Sequence, residues 1–191
     1  NGSFSEMDGD VLYSMVRHLK PRKMIEIGSG YSTLAAGAAL AKNVEETGVA
    51  CEFTAIEPYP GKHISSGVPG LTTLLPKPVQ AINLETFAAL EENDILFIDS
   101  THVVMIDSDV VYEVLEILPR LRPGVLVHLH DIFLPYDYPE NWIKKLGFFW
   151  NEAYMLHAFL AHNSRYRIEL WPHMLATLDA DRYVEAFPSA R

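Results

Sequence analysis

Apolar residues recur along this chain with two alternating periods. At residues 8–19, Val11, Leu12, Met15, Val16 and Leu19 fall at helical spacing and predict an amphipathic helix that stops before Pro21. Residues 23–27 form a short apolar run and predict a strand, followed by an alanine-rich helix over 31–42. A second strand is expected at 51–57, closed by the turn signal Pro58-Tyr59-Pro60-Gly61. Further along, the pattern gives a strand at 71–75, a helix at 84–90, a strand at 94–99 and a helix at 110–118. Pro119 and Pro123-Gly124 stop that helix, and a strand follows at 125–130. After the aromatic loop FLPYDYPENW (133–142), a helix is expected at 152–161 and a strand at 166–170.

Strands alternating with helices imply crossover connections between parallel strands, hence an α/β fold. The expected architecture is a single Rossmann-like domain over 1–191, with a mostly parallel central sheet and helices on both faces. Ligands of such sheets bind beyond the carboxyl ends of the strands. The positions that matter are therefore 28–32, 57–59, 78–80, 99–102 and 130–134.

Bulk composition narrows the partners. A chain of 191 residues with 49% hydrophobic and 21% charged residues is long enough for a substantial core. No apolar run reaches membrane-span length, and the opening residues lack the basic and apolar regions of a secretory signal. The chain does not begin with Met, so its native start is expected to lie upstream. The formal net charge of −10 repels nucleic acid and anionic membrane, and directs the search to a small-molecule partner. One cysteine, Cys51, cannot form an intramolecular disulfide and fits a reducing, cytoplasmic setting. It is expected at the start of a strand, with no redox role.

The stretch MIEIGSGYST carries the first chemical signal. No lysine follows the glycines, so this is not a phosphate loop of the G-x-x-x-x-G-K-[ST] type. A dinucleotide turn wants a third glycine where Thr33 stands. Glu26, two residues before Gly28, would be costly to bury unless a ligand amino group or loop N–H groups paired with it. Glu57, closing the second strand, can accept hydrogen bonds from ribose hydroxyls, each worth about 1.5–3 kcal/mol. Together these favour a ligand without a pyrophosphate.

Four motifs in order, EIGSGYST, IEPYP, DILFIDSTH and LRPGVLVHLHDIFLP, resemble class I S-adenosylmethionine-dependent methyltransferases. More narrowly, they are similar to the small bacterial group known as methyltransferase family 24. The similarity runs over residues 4–170. It implies that Glu26, Gly28, Gly30, Tyr31 and Ser32 cradle the methionine part of the cofactor, and that Glu57 takes the ribose. Val79 and Gln80 would lie near adenine; Asp99, Ser100 and Thr101 would lie near the sulfonium. Class I folds usually end in an antiparallel strand pair. Here the residues after Leu170 suggest one short strand and a helix, which leaves the last edge of the sheet open.

For the chemistry, His102 is the expected general base, three residues past Asp99 and just outside a strand end. The other reading makes it a loop-capping histidine. Asp99, His130 and Asp131 form a second cluster. Metal-dependent O-methyltransferases of the resembled fold place acids at matching positions, which implies Mg²⁺ held through oxygens. The match is incomplete: Ile132 stands where the catechol type has Asn, and His130 where the sugar type has an acid. An imidazole there suits Mn²⁺ or Fe²⁺. Without a metal, Asp131 caps the loop and Asp99 binds the cofactor amino group. His128 and His130 should share a sheet face, with His128 read as a core histidine.

Phe133, Tyr136, Tyr138 and Trp142 would either wall the acceptor site or make a contact in a homodimer. Trp150, Tyr154, His157 and Phe159 read as core or interface, and the acids at 107–109 as a helix cap. The leading expectation is O-methylation of a small molecule, with a sugar or secondary-metabolite hydroxyl suggested only by family analogy. The alternatives are a nicotinamide-dependent oxidoreductase and a cofactor-binding module without turnover.

Overall fold

The computed structural model describes residues 4–187. Five parallel strands lie in the order β3-β2-β1-β4-β5: β1 Lys23–Ile27, β2 Glu52–Ile56, β3 Thr73–Leu75, β4 Ile95–Ile98 and β5 Leu126–Leu129. The reversal of strand order falls between β1 and β4, which places the crevice for a ligand beside Gly28. Strands buried on both faces should read as unbroken apolar runs. β4, ILFI, is buried at every position.

Successive side chains of the strands feed two cores. Met24, Phe53, Ile95 and Phe97 point to one face, where α1 (Glu6–Leu19) and α2 (Tyr31–Thr47) cover them with Leu12, Val16, Ala36, Ala39 and Leu40. Ile25, Ile27, Ile56, Leu96 and Ile98 point to the other. There they meet Phe87 of α4 (Leu84–Ala88), Val110 of α5 (Asp109–Tyr112), and Met155 and Phe159 of α6 (Glu152–Ala161). α1 starts from a reciprocal cap: Ser5 Oγ accepts from the Asp8 backbone, and the Asp8 carboxylate accepts from Ser5. Its left-handed Lys20 ends it.

Three expectations need correction. The helix expected at 110–118 is not continuous. After α5 the backbone widens into a π turn, Glu113–Ile117, then tightens to a 3-10 turn, Leu118–Arg120, where Pro119 has no N–H to continue the ladder. No strand forms at 166–170. Tyr166 is drawn sideways instead, its hydroxyl donating to Leu118 O at 2.5 Å and its ring packing on Phe159, while Ile168 stays exposed. The short strand expected after Leu170 is absent among the described residues. Two short helices, α7 (Pro172–Leu178) and α8 (Ala180–Ala186), occupy that stretch, and the sheet ends at β5. A further short helix, α3 (Lys62–Ser65), follows β2.

Cys51 is buried one residue before β2, and burial pushes its thiol up to about 12. Among the described residues no helix is long and apolar enough to cross a membrane.

Phe97 is fully buried and its ring lies 4.8 Å from that of His128 and 6.5 Å from that of Phe4. Truncating such a side chain removes its transfer energy and leaves a cavity. Phe97→Ala should lower stability by about 3–5 kcal/mol, measured by urea unfolding at fixed pH. A loss below about 1 kcal/mol would show that this face of the sheet is not a packed core.

Candidate active site

The parallel register brings four post-strand residues into line. Gly28 N donates to Ile56 O, Asp99 N to Ile27 O, His130 N to Ile98 O, and Glu57 N to Leu75 O, at 2.9–3.1 Å. Gly28 adopts a left-handed φ of 87°, and a Cβ there would sit 1.9 Å from Asp99 O. Glycine is therefore required twice over. Gly30 differs. Its φ of −174° is extended, and a Cβ would meet no atom within 4 Å. Neither backbone nor protein packing asks for glycine there, which leaves room for a ligand above the start of α2.

Beneath this turn Glu26 is fully buried. Its Oε1 accepts from Ser32 Oγ at 2.6 Å, while Oε2 has no hydrogen-bond partner. Burial pushes its carboxyl up to about 8, against the opposing pull of the Ser32 and Thr33 hydroxyls. Ser29 Oγ is also buried without a partner.

Two cavities, of about 440 and 320 Å³, open over the strand ends and share Gly28, Glu57 and Asp99 as walls. The larger is lined by Val79, Gln80, Ser100, Thr101 and Met105. The smaller is lined by Phe4, Ser29, Gly30, Tyr31, Ser32 and His63. Glu57 stands between them. Backbone amides hold it in place, with Ser29 N donating to Oε2 at 3.3 Å and Tyr59 N to Oε1 at 2.8 Å. Gln80 is anchored by its amide, which donates to Asp107 O at 2.8 Å.

Beside this groove lies a cluster of histidines and acids. Asp99 Oδ1 is 3.2 Å from His102 Nε2 and 3.3 Å from His130 Nδ1. His102 Nδ1 pairs with the buried Glu152 at the first turn of α6, and the imidazole lies 4.1 Å from the Trp150 ring. His130 faces three acids, Asp99, Asp131 and Asp8, at 3.3–3.4 Å. None of these contacts is aligned as a hydrogen bond, so the attraction is one of charge. Burial alone would lower both histidines. The carboxylates outweigh it, lifting His102 to about 10 and His130 further. Asp99 answers in kind: burial would raise it, but His102 and His130 hold it well below the usual carboxylate range. His128, buried and next to the His130 charge, is pushed down to about 4. His102 and Asp131 both adopt left-handed backbones, with φ of 61° and 56°. Such strain, about 1–3 kcal/mol per residue, gathers at functional sites.

The predicted cofactor residues Glu26, Gly28, Gly30, Tyr31, Ser32, Glu57, Val79, Gln80, Asp99, Ser100 and Thr101 line this groove or lie directly under it. For a metal, the grouping shifts. Ligand atoms of Asp99, His102 and Asp131 lie within 4.8 Å of one another; His130 is not in that group, although its Nδ1 lies 3.3 Å from both Asp99 and Asp131. Phe133, Tyr138 and Trp142 form one aromatic cluster that reaches His102 through Trp150; Tyr136 lies at its exposed rim against His173. Tyr138 is buried and its hydroxyl accepts from Ala153 N, so it braces α6. Trp150, read from sequence as core or interface, touches the imidazole.

Glu152, Asp8, Phe4 and His63 escape a reading of strand ends, because each comes from a helix or helix-entry position. Glu113 escapes it too. This buried acid of the π turn accepts from Ser100 Oγ at 3.1 Å and is raised to about 8, by burial first and then by Asp109.

A family model described as a methyltransferase domain matches residues 25–132, more than half of the chain. An uncharacterized protein of Archaeoglobus fulgidus is 34% identical over 95 residues, 49% of this chain and 42% of that protein. The chain thus spans less than half the length of that curated relative.

Glu26 yields a stability prediction. Unfolded, it loses its proton near 4.5; folded, near 8. Between those values the folded state holds a proton that the unfolded state lacks, so stability falls as pH rises through the window. At about 1.4 kcal/mol per pH unit this amounts to about 3–5 kcal/mol. Glu26→Gln carries no such proton. Its stability relative to wild type should climb by that order between pH 5 and 8, read from urea midpoints. A constant difference across the range would show that Glu26 ionises normally.

Proposed function

The chain belongs to the methyltransferase-domain family, and from that premise we propose that it uses S-adenosylmethionine to methylate a hydroxyl of a small molecule. The observation that carries this reading is the groove divided by Glu57. On one side lies a slot at Val79 and Gln80 for a base. On the other lies the glycine turn, with Glu26 beneath it, for an amino-acid tail. Glu57 faces the place of a ribose diol between them. Besides Gly28, the shared walls of the groove are two acids, Glu57 and Asp99. They suit a ligand with an ammonium and a sulfonium; an acid placed like Glu57 also receives the ribose of a nicotinamide dinucleotide, and what disfavours that ligand is Thr33 in place of the third glycine. The net charge of −10 likewise favours a small acceptor over nucleic acid.

When bound, S-adenosylmethionine supplies a methyl group already activated by its sulfonium. The residues of the chain then have to orient the acceptor and take one proton. Positioning is worth as much as about 7–11 kcal/mol, and a placed base about 10²–10⁴-fold. His102 is the proton acceptor in this reading. Held between Asp99 and Glu152, its ring is an imidazolium near neutrality. When a cationic ligand draws the charge of Asp99, the imidazolium loses that support, Nε2 gives up its proton to solvent and can then accept the proton of the acceptor hydroxyl, while Glu152 keeps Nδ1–H oriented. Trp150 and Trp142 form the apolar side of the acceptor site.

A second reading rests on the ligand atoms of Asp99, His102 and Asp131, gathered within 4.8 Å. Two carboxylates and an imidazole suit Mg²⁺ or Mn²⁺, which when bound would acidify the acceptor hydroxyl. His102 would then be a ligand and not a base.

Calorimetry should show micromolar binding of S-adenosylhomocysteine and none of NAD. His102→Ala should leave that affinity within a few-fold and cut turnover of a methylated acceptor by about 10²–10⁴. Activity that survives exhaustive chelation supports the base; activity lost to a chelator and restored by Mg²⁺ or Mn²⁺ supports the metal. Binding of NAD in place of S-adenosylhomocysteine would overturn the methyltransferase reading of the groove.

A further inference from the structure

His102 keeps its left-handed backbone, with φ of 61°, in the loop that leaves β4. A non-glycine residue stays in that region only where its surroundings hold it there. On its far side the hold comes from α6, whose Asn151 N and Glu152 N both donate to His102 O. On its near side the hold comes from two acids on one helical face, Asp109 of α5 and Glu113, which opens the π turn. The Asp109 carboxylate accepts from Thr101 N at 3.0 Å and from Thr101 Oγ1 at 2.6 Å. Glu113 Oε2 accepts from Ser100 Oγ at 3.1 Å. Ser100 and Thr101 are the residues that join Asp99 to His102. We propose that Glu113 is a positioning residue: through Ser100 it holds the loop after β4 so that the His102 ring lies between Asp99 and Glu152. This rests on the reading above, in which His102 acts on the acceptor.

Packing does not account for an acid at this position. Glu113 is 1% exposed, and its neighbours Val110, Val114 and Ile117 belong to the apolar core. A leucine or methionine would fill the space without the cost of burying a carboxyl. Oε1 is buried without a hydrogen-bond partner, so the polar contact of this side chain lies on the Oε2 side, at Ser100. The helix also changes form at Glu113, widening from α to π, a distortion that gathers at functional sites.

The charge state suits the role. Burial first, then Asp109 of α5 and Glu152 of α6, oppose a charge on Glu113. Ser100 and His102 of the β4 loop favour one, and the balance raises the carboxyl to about 8. Near neutrality the side chain is therefore an uncharged acid, with the shape and the carbonyl acceptor of a glutamine. Gln can replace it in the bond to Ser100, whereas Leu keeps only its bulk. No proton or group is transferred in this role; the residue positions.

NMR of protein carrying isotope-labelled histidine reads the position of His102 directly. Glu113→Gln should leave the His102 ring resonances as they are in wild type. Glu113→Leu should shift or broaden them, with those of His128, buried in β5, unchanged. Ser100→Ala cuts the same hydrogen bond from its other end and should displace the His102 signals likewise, so the comparison stands even where the Leu variant fails to fold. His102 signals unchanged in Ser100→Ala would overturn the proposal, and so would a Gln variant displaced as far as the Leu variant. Turnover adds a second readout. With a methylated acceptor, Glu113→Leu should lower kcat by about 10²-fold and leave the affinity for S-adenosylhomocysteine within a few-fold. Beside His102→Ala it should cost nothing further. Equal losses in both backgrounds would mean that Glu113 acts through the fold and not through His102. If wild type bound no S-adenosylhomocysteine, the cofactor reading would fall, and the NMR comparison would still decide the role of Glu113.

Discussion

At Gly28 the backbone passes so near the carbonyl of Asp99 that no Cβ can fit. This contact joins the carboxyl ends of β1 and β4, the two strands between which the sheet reverses its order. A side chain at position 28 would force these strand ends apart. Gly28 N would leave Ile56 O, Asp99 N would leave Ile27 O, and the row of post-strand residues would lose its alignment. Asp99 is thus placed by backbone geometry before any side-chain interaction contributes. From that one position it faces the groove, His102 and His130 together.

The charges around Asp99 balance one another in two ways. Buried acids cost stability unless they are protonated or paired, and the site uses both solutions. Glu26 and Glu113 keep their protons near neutrality, raised by burial. Asp99, Asp8 and Glu152 are paired instead with protonated histidines. The first pair of acids stands under the groove and beside Ser100; the second group surrounds His102 and His130. Stability is surrendered at Glu26 and Glu113, and the left-handed backbones at His102 and Asp131 add to that cost. Glu26, His102 and Asp131 lie in or just after β1, β4 and β5, and Glu113 reaches the same end of the sheet through Ser100.

Much of this arrangement was legible in the sequence. The short apolar runs at β1, β2 and β4, alternating with helical patterns, fix the parallel sheet, and with it the positions of Gly28, Glu57, Asp99 and His130. Val79 and Gln80 follow from the same logic. The strand expected at 166–170 fails because an alternating pattern records only which residues could face a core. Tyr166 spends its side chain on Leu118 O and Phe159, and no strand edge accepts the remainder. Glu152 fails for a different reason. It stands 50 positions from His102 and has no local pattern, so its partner is set by how α6 docks. The same holds for Asp8, whose contact with His130 depends on the angle at which α1 enters the fold.

The docking of α6 has a wider consequence. His102 O accepts from Asn151 N and Glu152 N, while Asn151 Oδ1 accepts from Val104 N at 2.6 Å. The loop after β4 and the start of α6 are therefore built as one unit. The family match ends at Ile132, so this half of the unit, with Trp142 and Trp150, lies beyond it. Phe4 and Asp8 lie before it. The matched segment carries the groove and Asp99, the parts expected to be common to enzymes sharing a cofactor. The flanking segments carry the side chains that orient His102 and wall its apolar side. Selectivity for the acceptor would then reside in segments outside the shared core, where sequence can change without disturbing the alignment that Gly28 maintains.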